Sequence, residues 1–316
     1  MNIIFFGSDD FAAVNLERLV KSQHKVLVCV TQPDKPRDRH LKVTALPVKE
    51  TALKHSLPVL QPKAVGDHDF IDKLQSYAAD LFVVIAYGKI LPAKILSIPK
   101  KFCVNVHASL LPKYRGAAPI NWAIINGDPI TGVSVMKMNA KMDAGEIISQ
   151  REVRINPEDN SSTLKVKLAQ ASTELLPETI ELIEKNIFRL TPQNEAETTY
   201  TKKFTKELGR IDWSDSAVNI HNRVRGLVPW PGAYTHYKGR ILKILETQIV
   251  EAQAKQSQPG QIVQISKQGM GVAAGTGILR ILKVHLESSK VMDAHSFIVG
   301  HKIAMGFSFK TFETVK

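Results

Sequence analysis

Ile3-Ile4-Phe5-Phe6-Gly7-Ser8-Asp9-Asp10-Phe11 decides the fold. Its unbroken apolar start predicts a buried strand that ends at Gly7. Phe11 to Leu19 then carries apolar spacing suited to a helix, and Lys25 to Thr31 reads as a second strand. Leu81 to Tyr87 and Cys103 to His107 read as two more, with helical or irregular material between them. This βαβ rhythm predicts an α/β fold, Rossmann-like and doubly wound around a mainly parallel sheet. Ligands of such sheets bind beyond the carboxyl ends of the strands. The first turn is not Gly-x-Gly-x-x-Gly, and Asp9 and Asp10 there would repel a pyrophosphate, so a nicotinamide dinucleotide site is rejected.

Further along, Leu164 to Ile187 predicts a long helix with Pro177 as a kink point. The polar stretch Thr191-Pro192-Gln193-Asn194-Glu195-Ala196-Glu197 has no hydrophobic period and reads as an interdomain linker. After one helical segment, Ala217 to Arg225, come short strands at Tyr234–Tyr237, Ile241–Val250, Gln261–Ser266, Gly271–Ala274 and Ile278–Val284. Gly and Pro punctuate them, which predicts a second, smaller β-barrel domain. The expected division is a catalytic domain at 1–189, a linker at 190–208 and a barrel at 209–316.

The chain has 316 residues, 44% apolar and 23% charged, as expected for a soluble two-domain protein. Cys29 and Cys103 are the two cysteines, in apolar β-rich stretches and outside any Cys-x-x-Cys pair. A disulfide framework and a thiolate zinc site are therefore not expected. No signal-like start and no apolar run of ~18 residues is present, so a cytoplasmic protein without a membrane span is expected. The net charge is +12, and residues 200–316 carry 17 Lys and Arg against 8 Asp and Glu. That concentration suits a polyanionic partner, because phosphate contacts release counterions. A solvated basic surface would give the same count.

The chemistry centres on Asn105-Val106-His107-Ala108-Ser109-Leu110-Leu111-Pro112-Lys113-Tyr114-Arg115-Gly116. Asn105 and His107 stand two apart at the end of a strand and so face the same way. Thr131 to Met138 reads as a further strand, followed by the loop Asn139-Ala140-Lys141-Met142-Asp143-Ala144-Gly145-Glu146. Asp143 could approach His107 from that loop and hold its imidazole in one orientation. A carboxamide, an imidazole and a carboxylate suit acyl transfer to an amine, which must lose a proton while a carbonyl oxygen gains charge. A hydrolase built from Ser109, His107 and Asp143 is the rival, weakened by the lack of Gly-x-Ser-x-Gly.

Asn105 to Gly116 resembles the first signature of the folate-dependent formyltransferase family. Gly132-Val133-Ser134-Val135-Met136 through Met142-Asp143-Ala144-Gly145 resembles the second. Three further stretches resemble the branch of that family acting on methionyl initiator tRNA: Thr31 to Pro36, Phe204 to Glu207 with Ile211-Asp212-Trp213, and Arg225 to Tyr234. The resemblance runs from Met1 to about Lys243 and is weaker in the terminal strands. It implies the formyltransferase fold and an OB-like barrel, with 10-formyltetrahydrofolate as co-substrate and no metal. It gives catalytic roles to Asn105, His107 and Asp143. Asn105 would donate to the formyl oxygen, His107 would handle protons, and Asp143 would orient His107. Ser109, Leu110, Leu111 and Pro112 would line the folate site, with a pterin wall across Phe82 to Gly88, including Ile85 and Tyr87.

The loop Lys35-Pro36-Arg37-Asp38-Arg39-His40-Leu41-Lys42 sets four cations, Lys35, Arg37, Arg39 and Lys42, in a segment able to grip phosphates near an acceptor stem. Arg39 ranks first among them by position. The family loop usually carries glycines, and this one has none. Lys206, Arg223 and Arg225 complete the expected tRNA-binding set. His295 and His301 lack an acidic partner at metal spacing, and Trp213 and Trp230 are expected to pack a domain interface. A monomer is expected. The alternatives are a formyltransferase acting on an amino-sugar nucleotide and a non-catalytic RNA-binding protein on the same scaffold.

Overall fold

The computed structural model describes residues 1–36, 43–250 and 257–309. The chain divides into two compact units that interleave along the sequence. One comprises Met1–Pro119, Ile130–Arg154 and Lys165–Thr201, and the other Ile120–Pro129, Ile155–Leu164 and Lys202–Lys316.

The first unit is built on a seven-stranded sheet. Its strands are β1 (Asn2–Gly7), β2 (Lys25–Val30), β3 (Val59–Leu60), β4 (Leu81–Ile85), β5 (Phe102–His107), β6 (Ile130–Lys137) and β7 (Ile147–Arg154). In space they run β7-β6-β5-β4-β1-β2-β3. β3, β2, β1, β4 and β5 are mutually parallel, while β6 and β7 are antiparallel additions at one edge. The chain builds outward from β1 first through β2 to β3, then through β4 to β5. The direction of winding therefore reverses between β1 and β4, where open α/β sheets leave their crevice.

The quoted opening explains the centre of this sheet. Ile3, Ile4, Phe5 and Phe6 are completely buried, as a strand covered on both faces requires. Between the sheet's strands run α1 (Asp10–Val20), α2 (Pro47–Lys54), α3 (His68–Ser76) and α4 (Ala93–Leu96), while α5 (Pro119–Ile125) belongs, apart from Pro119, to the second unit, and α6 (Ser161–Glu184) begins there and continues in the first. Asp9 caps α1, its carboxylate accepting from the Ala12 N–H at 3.1 Å. A Cβ on Gly7 would stand 2.6 Å from Ala12 Cβ, so only glycine lets α1 start this close to the strand. Pro177 lies within α6, inside the helix expected there.

The second unit is barrel-like. After α7 (Ala217–Gly226) it contains β8 (Ala233–Tyr237), β9 (Arg240–Val250), β10 (Ile262–Ser266), β11 (Gly269–Ala273), β12 (Ile278–Leu286), β13 (Val291–Asp293) and α8 (Ala294–His301). The strands pair antiparallel in the order β8-β9-β12-β11-β10, with β13 also on β12. Trp213 does not serve the interface expected of it. It is fully buried in this unit's own core, stacked on Phe309 at 5.8 Å, with Nε1 donating to Thr235 Oγ1 at 3.3 Å. Trp230 is half exposed.

The structure also departs from the expected linker. The polar stretch from Thr191 belongs to the first unit through Thr201. It lacks a hydrophobic period because side-chain and backbone hydrogen bonds, rather than apolar packing, hold it. Thr191 exchanges two backbone bonds with Ile147, and Tyr200–Thr201 pairs with Arg115–Gly116 as a short parallel ladder.

Candidate active site

Three carboxyl ends lie side by side at the reversal: Gly7 opposite Ile85, and Val84 opposite Asn105. Asn105 and His107 are the last alternate residues of β5 and share a face of the sheet. Asn105 keeps partial exposure, and its carboxamide is bonded to no other group among the described residues. It is therefore able to donate to a ligand carbonyl. Cys29 and Cys103 offer no competing nucleophile, since burial pushes both thiols up to about 12.

His107 is 7% exposed, and its Nε2 donates to the Tyr114 carbonyl at 2.9 Å. A carbonyl oxygen only accepts, so the proton sits on Nε2 and Nδ1 is the atom able to gain or lose one. Nδ1 is also the atom that faces Asp143, 3.7 Å from Oδ1. That separation exceeds a hydrogen bond and suits a charge pair once the ring is protonated. Asp143 thus approaches His107 as expected from the sequence. The Tyr114 carbonyl, which fixes the ring's tautomer, was not foreseen: a main-chain acceptor leaves no trace in residue type.

The Asp143 carboxylate is itself held. Its Oδ2 accepts from the Gly116 N–H at 2.8 Å. Asp143 sits in the left-handed region at φ 52°, a conformation that persists only where the surroundings fix it. Gly145 follows because a Cβ there would stand 1.7 Å from the Lys137 carbonyl.

The expected folate wall needs correction. Phe82, Ile85 and Tyr87 are buried core residues, Phe82 packing on Phe6 at 5.4 Å. Gly88 and Ala86, both within the expected Phe82 to Gly88 wall, are exposed just beyond β4. The periodicity could not say which side of the strand end stays open. Ser109 and Leu111 are also buried. Ser109 Oγ donates to the Lys113 carbonyl at 2.6 Å, which occupies it as a turn-former and leaves the hydrolase rival without its nucleophile. Leu110 and Pro112 retain exposure and can line a ligand. Exposed Ala86 and Gly88, partly exposed apolar Leu110 and Pro112, and the unbonded Asn105 carboxamide form a lining that suits a folate.

The expected tRNA-binding residues divide. Arg37, Arg39 and Lys42 lie outside the described residues, and only the backbone of Lys35 is described. Lys206 is exposed. Arg223 Nη1 donates to the Leu208 carbonyl at 3.2 Å. Arg225 contradicts its expected role. Its guanidinium is half-buried, donates to the Asn156, Pro157 and Asp159 carbonyls and to Asn222 Oδ1, and so braces its own unit.

Residues 1–180 match the family model described as formyl transferase, and residues 203–302 match that of the formyl transferase C-terminal domain. The chain belongs to the formyl transferase family. The methionyl-tRNA formyltransferase of Alkaliphilus oremlandii is 44% identical over 97% of this formyltransferase and 98% of its own length. That of Thermodesulfovibrio yellowstonii is 46% identical over 96% and 97%. Among solved structures, an N-formyltransferase from Helicobacter canadensis with folinic acid and dTDP-3-aminofucose superposes with a TM-score of 0.66. It is 18% identical, over 90% of this formyltransferase and 99% of that chain, and shares the fold.

Proposed function

We propose that this formyltransferase moves the formyl group of 10-formyltetrahydrofolate onto the free amino group of methionyl initiator tRNA, acting in the cytoplasm. The observation that carries this reading is the uncommitted Asn105 carboxamide beside the His107–Asp143 pair at the carboxyl end of β5. Full-length likeness to methionyl-tRNA formyltransferases supports the choice of acceptor. When bound, the folate supplies a formyl carbon attached to nitrogen.

Asn105 donates to the formyl oxygen and stabilises the negative charge that builds there as the amine attacks. His107 Nδ1 takes the proton that the attacking nitrogen must lose and returns it to the folate nitrogen as the bond from that nitrogen to the formyl carbon breaks, so that tetrahydrofolate leaves, while Tyr114 holds Nε2. Asp143 steadies the resulting imidazolium across 3.7 Å. No covalent intermediate on the protein is needed. All three groups come from one chain, so a monomer suffices. No helix among the described residues is long and apolar enough to cross a membrane.

A small amino-sugar nucleotide would use the same three groups but has no need of the surplus cations in residues 200–316. Labelled 10-formyltetrahydrofolate offered with methionyl initiator tRNA, uncharged tRNA and an amino-sugar nucleotide separates the readings. Label is expected only on the charged tRNA, with binding that weakens steeply as salt rises. Label on the sugar, with no tRNA binding at low salt, would reverse the assignment.

A further inference from the structure

Gln193 lies in the polar stretch whose composition reads as a linker. Its side chain is half-buried, commits its amide nitrogen to two carbonyls and accepts one hydrogen bond, all inside the first unit. Nε2 donates to the Asp143 carbonyl at 2.9 Å and to the Gly145 carbonyl at 2.7 Å. Oε1 accepts from Arg115 Nε at 2.9 Å. The amide can face only one way, since a flip would set its donors against Arg115 and its acceptor against two carbonyls.

Arg115 is equally fixed. Its side chain is 1% exposed, and the guanidinium donates to both carboxylate oxygens of Glu195 and to the Tyr200 hydroxyl. The bond to Glu195 raises the affinity of Arg115 for its proton further. Arg115 precedes Gly116, whose N–H holds the Asp143 carboxylate. The Asp143 loop is therefore gripped at two points, by Gly116 on its side chain and by Gln193 on its main chain, and both grips trace to the Arg115–Gly116 ladder with Tyr200–Thr201. A left-handed aspartate needs such over-determination to stay in place.

We propose that Gln193 is a positioning residue for the reaction: it holds the Asp143 loop so that the carboxylate stands against His107 Nδ1. It touches no reacting atom and acts through Asp143. This inference rests on the formyl-transfer reading above. Gln193→Ala releases two carbonyls and lets the loop relax. Misplacement of a catalytic group by ~1 Å costs on the order of 100-fold, so kcat should fall by about that factor. The KM for the folate should stay within about threefold, because no folate-facing group changes.

The test is a double-mutant cycle in single-turnover formyl transfer, with Gln193→Ala, Asp143→Asn and the combination, and with thermal midpoints measured in parallel. In the Asp143→Asn background, removing Gln193 should cost less than about twofold, since the group it positions is already lost. Should Gln193→Ala not accumulate as folded protein, Gln193→Glu runs the same cycle. It keeps the volume and the acceptor for Arg115, loses both donors, and is expected to show the same loss. Wild-type turnover in Gln193→Ala, or losses that multiply in the double variant, overturns the proposal while leaving formyl transfer standing. An inactive wild type with an undiminished supply of charged tRNA removes the formyl-transfer reading and this inference with it.

Discussion

Asn105→Ala is expected to lower kcat by roughly 100- to 1000-fold, the usual cost of removing one donor from a developing oxyanion. The KM for the folate should change little, because the amide bond to the formyl oxygen strengthens only as charge appears there. The structure makes this a clean experiment. Asn105 is partly exposed and bonded to nothing else among the described residues, so its removal leaves no buried group without a partner. Rapid-quench measurement of label transfer reads the chemical step directly. Unchanged single-turnover rates would take the oxyanion role away from Asn105.

His107→Gln should be comparably severe, with a loss of roughly 100- to 10,000-fold in kcat. Glutamine can still donate to the Tyr114 carbonyl, which the turn from Ser109 to Gly116 presents, but it cannot carry a proton between reaction partners. The folded state should therefore survive while proton transfer does not. A thermal midpoint close to wild type together with the rate loss separates chemistry from stability. A variant that turns over at more than a tenth of the wild-type rate would move the base elsewhere.

Much of the first unit was legible because the opening strand is buried on both faces, and such strands announce themselves as unbroken apolar runs. The antiparallel strands of the barrel were legible through their Gly and Pro punctuation. Strand alternation fixed Asn105 and His107 on one face. What the sequence hid is of two kinds. Main-chain partners, such as the Tyr114 carbonyl and the Gly116 N–H, exist only once the chain has turned, and no side-chain pattern encodes them. Polarity also has two origins. The stretch from Thr191 reads as solvated linker by composition, yet its Gln193 and Glu195 spend their polar atoms on Arg115 and the Asp143 loop. Arg225 deceived in the same way: a cation in a basic segment is a phosphate contact only if its guanidinium is not already donating to carbonyls. Phe82 and Tyr87 show the limit of carrying a site across by position, since residues beside a pocket often support it from behind.

The central claim is that the carboxyl end of β5 presents the formyl group to the amine. A crystal structure of this protein with a 10-formyl folate bound tests it most directly. The formyl oxygen should lie within hydrogen-bond reach of the Asn105 carboxamide, with the formyl carbon on the same side as His107 Nδ1 and the pterin against Ala86 and Gly88. A folate bound with its formyl group remote from Asn105 and His107 would contradict the account.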